Sequence, residues 1–394
     1  MIFQLTNPIK NFQWGCPDAF FNLFNIANPD RLPQAELWMG AHPSSSSRLT
    51  LDNRDHALVD VINAKPELWL GKKCEQFESQ LPFLVKLLAA HQPLSIQVHP
   101  SKEAAKIGFD KENAQGISLN APERNYKDAN HKPELLYAIT PYLAMNGFRK
   151  LDEIHRFFSR LALPSLCEII EPFLSRPCTE TLAQLFESIL LLDESLKSQA
   201  INELLNCYAR LETYPDQVEI LKLISEFSFL YPDDVGLFSP LFLNVIELQP
   251  GEVMYLAAET PHAYIKGVGV EVMANSDNVL RAGLTPKYID VQELLANTKF
   301  ESLKMCDLKL KPVETNGRLI YPTPVDDFKF DIIKAGTIDI SVSSPEIILC
   351  INGTATINSV HSQVTLAAGQ SVIIPAVAPS YSLTCTGTVA RTYC

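Results

Sequence analysis

The segment Ser95-Ile-Gln97-Val-His99 places three polar side chains at alternate positions. Residues two apart in an extended strand lie on one face, so Ser95, Gln97 and His99 share a face and the two aliphatic residues share the other. A β-barrel that holds a metal ion needs this pattern, with the polar row turned inward. The same alternation is typical of a half-buried strand whose polar face meets water, so the segment alone does not decide.

Lys132 and Glu134 lie two residues apart, just ahead of the apolar run Leu135-Leu-Tyr-Ala138. Pro133 between them stiffens the backbone. Glu134 suits an anionic metal ligand, and Lys132 would then act beside it as a proton donor or acceptor. The simpler interpretation is a surface ion pair of little consequence, which is the commoner case for an isolated pair.

His262 is a lone histidine, and such a residue more often has a structural role than a ligand role. Its place in an internal repeat improves the case for a ligand. The two copies run from Gly251 to Pro261-His262 and from Gly369 to Pro379-Ser380, with the proline ten residues after the glycine in each. The repeat is typical of a cupin jelly roll, in which the glycine makes a turn and the residue after the proline points into the barrel. We therefore predict a ligand-bearing first barrel and a degenerate second one, where serine replaces histidine.

The stretch from Val270 to Lys287 combines small polar residues with Arg281 and Lys287, beside a strand in which Glu271 faces inward. A loop-rich turn with solvated charges would give the same pattern. The stretch is ambiguous on its own.

The elements that must position these residues follow from the apolar pattern. Short apolar runs in the first 150 residues predict strands, with one helix expected across Cys74 to His91. Strands are predicted again at Leu241 to Leu248, Val253 to Leu256 and Val268 to Met273, and in short segments from Leu319 onward. Between them, prolines punctuate a block of short helices whose apolar residues recur at helical spacing. These residues are Ile154, Phe157, Phe158, Leu161, Leu182, Leu185, Ile189, Leu204, Leu205, Tyr208 and Leu211.

The predicted fold class is therefore mainly β with a helical insertion: two cupin barrels plus an α-helical domain. At 394 residues the chain is long enough for two or three domains. We predict a catalytic cupin domain from residues 1–150 and 236–310, a helical domain from 151–235 and a degenerate cupin domain from 311–394.

The composition limits the partners and the compartment. A net charge of −12, spread along the chain, argues against nucleic acid or an anionic membrane as the main partner. The first residues lack a signal-peptide pattern, and no apolar stretch is long enough to span a bilayer, so we expect a cytoplasmic protein. The nine cysteines include no CxxC pair and are predicted to be reduced thiols, buried as small apolar side chains.

Taken in order, these motifs resemble the signatures of the type I mannose-6-phosphate isomerases over essentially the whole chain. The segment Trp38-Met-Gly-Ala-His42-Pro near the start and the helical block also fit the resemblance. The motifs that carry it are Gln97-Val-His99-Pro, Lys132-Pro-Glu134, Pro261-His262-Ala-Tyr264 and the long stretch from Met273-Ala-Asn-Ser-Asp-Asn278 to Arg281-Ala-Gly-Leu-Thr-Pro-Lys287.

The resemblance implies that Gln97, His99, Glu134 and His262 hold one zinc ion. Imidazole nitrogen, carboxylate oxygen and amide oxygen are all acceptable donors to Zn²⁺. With one anionic ligand the site would keep a formal charge of about +1 and remain a good Lewis acid.

The resemblance also implies interconversion of mannose 6-phosphate and fructose 6-phosphate by proton transfer through an enediol or enediolate. Lys132, Glu271 and Tyr264 are then the candidates for proton transfer, and the sequence does not choose between Lys132 and Glu271 as the base. Arg281 would stabilise the enediolate. Ser95, Lys102 and Lys287 are predicted to bind the phosphate, forming the basic patch that an acidic protein needs for an anionic substrate.

Two other functions fit a cupin. Cupins also carry iron in sites of histidine and carboxylate, so a metal-dependent oxygenase is the alternative enzyme, although the glutamine ligand and the basic residues argue against it. A non-catalytic sugar-phosphate-binding cupin is the alternative outside enzymes, because a fold does not guarantee a function. For the isomerase we expect a small phosphosugar substrate, no nucleic acid or membrane partner, and a monomer.

Overall fold

The computed structural model describes residues 1–207, 215–360 and 362–394. Strands dominate both ends of the chain, and helices dominate the middle. This order confirms the predicted class, mainly β structure with a helical insertion. Tyr208 and Leu211, which belonged to the predicted helical pattern, lie outside the described residues. None of the described helices is both long and apolar enough to cross a membrane.

Apart from α4, the longer helices lie in the inserted block. Most of the predicted apolar residues are buried there: Phe157, Phe158, Leu182 and Leu204 are each less than 4% exposed. Their spacing of three and four residues therefore forms the buried face of each helix. The helices are α1 Ala19–Phe24, α2 Leu58–Ala64, α3 Pro66–Leu70, α4 Lys102–Ala114, α5 Leu151–Arg160, α6 Cys167–Ser175, α7 Thr179–Leu190, α8 Glu194–Asn206, α9 Pro215–Leu230, α10 Ser239–Phe242 and α11 Val291–Ala296.

The strands fall into two groups, before and after residue 311. In the first group are β1 Phe3–Gln4, β2 Ile9–Lys10, β3 Glu36–Met39, β4 Arg48–Leu51, β5 Arg54–Ala57, β6 Phe83–Ala90, β7 Ile96–Val98, β8 Glu134–Ala138, β9 Tyr142–Phe148, β10 Leu243–Leu248, β11 Val253–Leu256, β12 His262–Ala274, β13 Leu280–Gly283 and β14 Lys309–Leu310. In the second are β15 Val313–Thr315, β16 Arg318–Tyr321, β17 Lys329–Ile333, β18 Gly336–Ser341, β19 Glu346–Asn352, β20 Thr354–Ser359, β21 Ser362–Ala367, β22 Ser371–Ile374, β23 Ser380–Cys385 and β24 Thr388–Tyr393.

The helix predicted across Cys74 to His91 is wrong, because the second half of that segment is strand β6. All eight residues of β6 are buried, since the strand is covered on both faces. A strand covered on both faces is apolar at every position and loses the alternation that marks a half-buried strand. Its sequence, Phe83-Leu-Val-Lys-Leu-Leu-Ala-Ala90, therefore has no period that separates strand from helix.

The long strand β12 organises the first β region. Its second half pairs with β6 on one side and β8 on the other. Its first half pairs with β9 and, at His262, with β7. Strand β13 pairs with the other side of β7, so β7 lies between β12 and β13. One strand thereby brings two distant parts of the sequence, residues 83–98 and 134–148, to a common place.

The helical block shares its hydrophobic core with the strands of this region. Phe148 of β9, Val98 of β7 and Leu280 of β13 lie in one buried cluster with Phe158 of α5 and Phe186 of α7. The helices therefore cover the outer face of the strands β7, β9 and β13. Any role of these strands in a site depends on this packing.

The second β region is built from two sheets. One has the strand order β1-β22-β19-β24-β17-β16-β15, and the other has the order β18-β23-β20-β21. The N-terminal strand β1 pairs with β22, so the two ends of the chain meet in one sheet. Residues such as Ile348, Ile357 and Leu383 fill the core between the sheets.

The internal repeat is confirmed as a structural repeat. Gly251 and Gly369 both adopt positive φ angles, 93° and 80°, which favour glycine. Each precedes a four-residue strand, β11 or β22, and the next strand begins at His262 in one copy and at Ser380 in the other.

The prediction that the residue after the proline points inward is wrong for the second copy. Ser380 is exposed, whereas the next residue, Tyr381, is buried and donates its hydroxyl hydrogen to Glu346 at 2.7 Å. Alternation along β23 thus turns the aromatic side chain to the interior and the serine to solvent.

An ion cluster occupies the interior beside Tyr381. The guanidinium of Arg391 binds both oxygens of Glu346, at 2.8 and 2.6 Å, and reaches Asp331 at 3.0 Å. Arg318 also contacts Asp331, at 3.1 Å. Two fully buried carboxylates therefore share the charge of two guanidinium groups.

Within the described part of the chain, no two cysteines form a disulfide. Those that are buried are Cys207, Cys350, Cys385 and Cys394. The burial predicted for all of them is wrong for Cys167 and Cys306, which are exposed. Cys167 is the first residue of α6, and Cys306 is the middle residue of the short turn Met305–Asp307.

We predict that Arg391→Met lowers the free energy of unfolding by about 3–5 kcal/mol, because it leaves Glu346 and Asp331 buried with too little positive charge. Urea titration followed by circular dichroism measures this loss. Arg48→Met is the matched control: it removes an exposed ion pair with Asp55 and should cost less than about 1 kcal/mol. Equal losses in the two variants would contradict the importance of the buried cluster.

Candidate metal centre

Three strand ends bring two histidines and a glutamate together. His99 follows β7 directly, Glu134 is the first residue of β8 and His262 is the first residue of β12. Nε2 of His99 lies 3.1 Å from one oxygen of Glu134, and Nε2 of His262 lies 3.5 Å from the other. All three side chains are buried, and one ligand atom from each lies within 4.8 Å of the others.

The hydrogen bonds of the two imidazoles favour a metal ion at this point. Nδ1 of His99 is 2.7 Å from the carbonyl oxygen of Asn278, and Nδ1 of His262 is 2.9 Å from that of Thr260. A carbonyl can only accept, so each Nδ1 carries the hydrogen and each Nε2 is an acceptor. Two acceptor nitrogens therefore face a carboxylate, and this donor set fits a divalent cation such as Zn²⁺.

Charge and burial prepare these groups to bind a metal. Burial, and then the nearby Lys132, lower the pKa of His99 to about 3, so the imidazole is neutral, as a metal ligand must be. Burial alone would raise the pKa of Glu134, but the charge of the nearby Lys132 holds it well below its ordinary value. Glu134 is therefore an anion.

Gln97 lines the same small cavity, of about 50 Å³, as Glu134 and His262. In the strand pairing it stands opposite His262 on one side and Arg281 on the other. Its amide nitrogen lies 3.4 Å from the hydroxyl oxygen of Ser95, which lines the cavity too. The sheet thus brings the fourth predicted ligand to the three others.

Two of the predicted proton-transfer residues contact Glu134 directly. Nζ of Lys132 lies 3.1 Å from one oxygen of Glu134, and the hydroxyl of Tyr264 donates to the other at 3.0 Å. Burial and the charge of Glu134 raise the pKa of Tyr264 well above its ordinary value, so its hydroxyl stays protonated. Both residues line the cavity.

The third, Glu271, pairs with a residue that the sequence reasoning missed. Nζ of Lys86 lies 2.7 Å from Glu271 and 3.7 Å from Glu36, and all three side chains are buried. The indole N–H of Trp38 donates to Glu36 at 2.6 Å. Lys86, Glu36 and Glu271 line the same cavity as Glu134. The signal that could have revealed Lys86 is its position as the one charge in the apolar run of β6.

The pKa values of this buried group depend on its internal pairing. Burial would lower the pKa of Lys86, but Glu271 and Glu36 outweigh it and raise that pKa, so the lysine is a cation. Burial raises the pKa of Glu271, and Lys86 opposes the rise. Glu271 is therefore a carboxylate of raised basicity.

Arg281 and Lys287 form a cationic pair near the cavity. Arg281 is half-buried on β13, and burial lowers its pKa. Burial and then the charge of Arg281 lower the pKa of Lys287. Among the described residues, neither has a carboxylate within 4.0 Å. Two cations that are not neutralised by the protein suit a multiply charged anion.

The predicted phosphate residues do not line one cavity. Ser95 lines the cavity of about 50 Å³ that Glu134 also lines. Lys102, at the start of α4, instead lines a second cavity of about 330 Å³, together with Lys127. Lys287 borders neither cavity. Lys127, which the sequence reasoning missed, contributes to the lowered pKa of Lys287. No motif marked it, because its relation to Lys287 arises only from the folded loops.

Comparison with known proteins decides the family. Residues 2–151 match the phosphomannose isomerase type I catalytic domain, residues 168–243 its helical insertion domain and residues 318–394 the mannose-6-phosphate isomerase cupin domain. The chain is 47% identical to mannose-6-phosphate isomerase of Salmonella typhimurium over 99% of both chains. The chain belongs to the type I phosphomannose isomerase family.

More distant family members and solved structures agree with this assignment. Mannose-6-phosphate isomerase of Homo sapiens is 33% identical, over 92% of this chain and 90% of its own. A crystal structure of the Salmonella typhimurium enzyme bound to its substrate fructose 6-phosphate and a zinc atom superposes with a TM-score of 0.92 and 46% identity, covering 100% of this chain and 99% of that one. Another structure of mannose 6-phosphate isomerase, bound with zinc and yttrium, has a TM-score of 0.93 at 46% identity, with the same coverage.

The loop between β12 and β13 holds His99 in place through Asn278. Asn278, whose carbonyl accepts from His99, is fully buried; its side-chain oxygen accepts from the backbone N–H of Lys127 at 2.7 Å. Its amide donates to the carbonyls of Asp128 and Asn130 at 2.8 and 2.9 Å. One asparagine therefore fixes both the imidazole and the loop that leads to Lys132.

We predict that Lys86→Met destabilises the fold by about 3 kcal/mol at pH 8 and by less at pH 5. Without the lysine, Glu271 and Glu36 are buried without the cation that pairs with both, and the pKa of Glu271 rises further. A carboxyl whose pKa is raised by folding loses stability as the pH rises above its unfolded pKa, so the cost grows between pH 5 and pH 8. Urea titrations at the two pH values measure it.

Lys266→Met is the control for this prediction. Lys266 is exposed on the same strand as Glu271, so its loss should change stability by less than about 0.5 kcal/mol at either pH. A loss for Lys86→Met that does not depend on pH would mean that the carboxylates find other partners.

Proposed function

We propose that this protein interconverts mannose 6-phosphate and fructose 6-phosphate with one bound zinc ion. The observation that carries the proposal is the convergence of His99, Glu134 and His262, with Gln97, in a chain 47% identical over its whole length to an isomerase of that name. The related structure that holds both zinc and fructose 6-phosphate supports the same metal and substrate class.

The four predicted ligands are Gln97, His99, Glu134 and His262. When bound, the zinc ion supplies Lewis acidity that polarises the sugar carbonyl. The protein supplies one negative charge, from Glu134, and otherwise neutral donors, so the site keeps a net positive charge. Burial of these residues excludes water and strengthens the attraction for developing negative charge on the substrate.

The isomerisation moves one proton between C2 and C1 of the open-chain sugar. We assign the base to Glu271, the choice that the sequence left open between Glu271 and Lys132. Burial raises the pKa of Glu271 toward the range of an effective base, and its carboxylate lines the cavity. Toward the ketose, it takes the proton from C2 and returns it to C1, while the hydroxyl proton passes from O2 to O1. The enediolate therefore forms and collapses with every atom accounted for.

Lys132 and Tyr264 have supporting roles in this mechanism. Each contacts one oxygen of Glu134, and each can donate a hydrogen bond to a sugar oxygen in the same cavity. The protonated Tyr264 hydroxyl suits opening of the pyranose ring, in which the ring oxygen gains a proton.

Arg281 and Lys287 provide the positive charge that the substrate requires. We assign Arg281 to the enediolate, because it stands opposite Gln97 in the strand pairing, and Lys287 to the phosphate. Ser95 of the metal cavity and Lys102 of the neighbouring cavity complete the proposed phosphate contacts.

The domain limits and the setting of the protein are also proposals. We infer a catalytic domain from residues 1–150 and 236–310, a helical domain from 151–235 and a C-terminal domain from 311–394, an arrangement that the three matched family domains support. We expect a cytoplasmic monomer. Size-exclusion chromatography with light scattering tests the monomer.

The two alternative functions make different demands on the site. An oxygenase would need iron and consume oxygen, and a binding protein would leave mannose 6-phosphate unchanged. Metal analysis of the purified protein, oxygen uptake and a coupled assay for fructose 6-phosphate separate the three. Isomerase activity that a chelator abolishes and zinc restores supports the proposed function.

We predict that His262→Ala and Gln97→Ala each lose bound zinc and at least about tenfold of the activity, because each removes a donor from the metal. Metal content by mass spectrometry and the coupled assay measure the two effects. His56→Ala, at a half-buried position on β5 away from the cavity, is the control and should keep both. Full zinc content and full activity in the ligand variants would contradict the ligand assignment.

We predict that Arg281→Ala lowers kcat about 100-fold or more while zinc content stays unchanged, because the guanidinium stabilises charge that develops in the transition state. Steady-state kinetics separate kcat from KM. Arg54→Ala removes an exposed arginine of β5 and should leave both constants unchanged. A change in KM alone would assign Arg281 to substrate binding.

A further inference from the structure

We propose that Asp234 is a positioning residue for the sugar-phosphate site, a role that rests on the function proposed above. One oxygen of its carboxylate accepts from the backbone N–H groups of Gly236 at 2.7 Å and Leu284 at 2.8 Å. The other accepts from the N–H of Thr285 at 3.0 Å. A single half-buried side chain thus joins the segment after α9 to the turn that follows β13.

The turn after β13 has a conformation that needs such support. Leu284 has a φ of 53°, in the left-handed region that residues with a side chain rarely adopt. Gly283 has a φ of 130°, and a Cβ atom built on it would lie 2.6 Å from the Cα of Gly236. The two backbones therefore pack directly against each other, with Asp234 hydrogen-bonded across the contact.

The turn lies between the two cations assigned to the substrate. Arg281 precedes Gly283 by two residues, and Lys287 follows Thr285 by two. They are close enough for Arg281 to lower the pKa of Lys287. Their spacing depends on the path of the backbone between them, and Asp234 holds the middle of that path.

Apolar contacts keep the turn in place without Asp234. Leu284 is 1% exposed and lies in the same buried cluster as Leu237, Phe238 and Leu241 of the adjacent segment. Loss of the carboxylate therefore leaves the packing of the helical block intact. Without the carboxylate, the N–H groups of Leu284 and Thr285 are no longer held in one direction, and the backbone path between the two cations can change.

The test is the kinetics of Asp234→Asn and Asp234→Ala with mannose 6-phosphate. The asparagine side chain has the same shape but places an amide NH₂ where one acceptor stood. We expect kcat/KM to fall about tenfold, because small displacements of charged groups in a site are costly, in protein with full zinc content and an unchanged circular dichroism spectrum. If the alanine variant does not fold, the isosteric asparagine variant carries the test.

Asp233→Asn is the matched control, since Asp233 is the exposed neighbour, and it should retain full activity. A double-mutant cycle with Lys287→Ala distinguishes positioning from general stability. If Asp234 acts through the cations, its substitution costs much less in the Lys287→Ala protein than in the parent.

Three results would overturn the inference while the parent enzyme remains active. They are wild-type kcat/KM in Asp234→Asn, losses that simply multiply in the double variant, or a lower thermal midpoint with unchanged kinetics. A parent protein with no isomerase activity would instead contradict the proposed function itself.

Discussion

The buried carboxylate of Glu134 is the constraint on which the site depends. Its two oxygens are contacted by Lys132 of the same segment, by His99 at the end of β7, and by His262 and Tyr264 of β12. An anion removed from water is tolerated only when cations or donors surround it. The strands that carry these residues must therefore be held in register, and the pairing of β12 with β7, β8 and β9 holds them.

Both β regions pair buried carboxylates with a cation, but the surroundings of the pairs differ. In the first, Lys86 pairs with Glu271 and Glu36 beside a cavity that candidate metal ligands also line. In the second, the guanidinium of Arg391 binds two carboxylates that are fully buried in the interior. The two copies of the repeat therefore share the turn and the strand that follows it, but the first interior holds the candidate metal centre and the second holds an ion cluster.

The helical insertion contributes to the site from outside the first β region. Its core is continuous with the strands β7 and β13, which carry Gln97 and Arg281. Two polar residues then hold the loops beside the site. The carbonyl of Asn278 accepts from His99, and the carboxylate of Asp234 accepts from the turn that follows β13. Backbone N–H and C=O groups in such loops need partners, and these residues supply them.

The candidate metal ligands and the position of the repeat could be predicted from the sequence. Alternation marked Gln97 and His99, and the glycine and proline frame marked His262, because turn chemistry and strand period are local properties. Only the tertiary structure revealed Lys86 and corrected the helix predicted over β6, because a strand covered on both faces loses its period. The tertiary structure also showed that Lys102 and Ser95 line different cavities, since cavities form from segments far apart in the chain. It showed as well that Ser380 faces solvent.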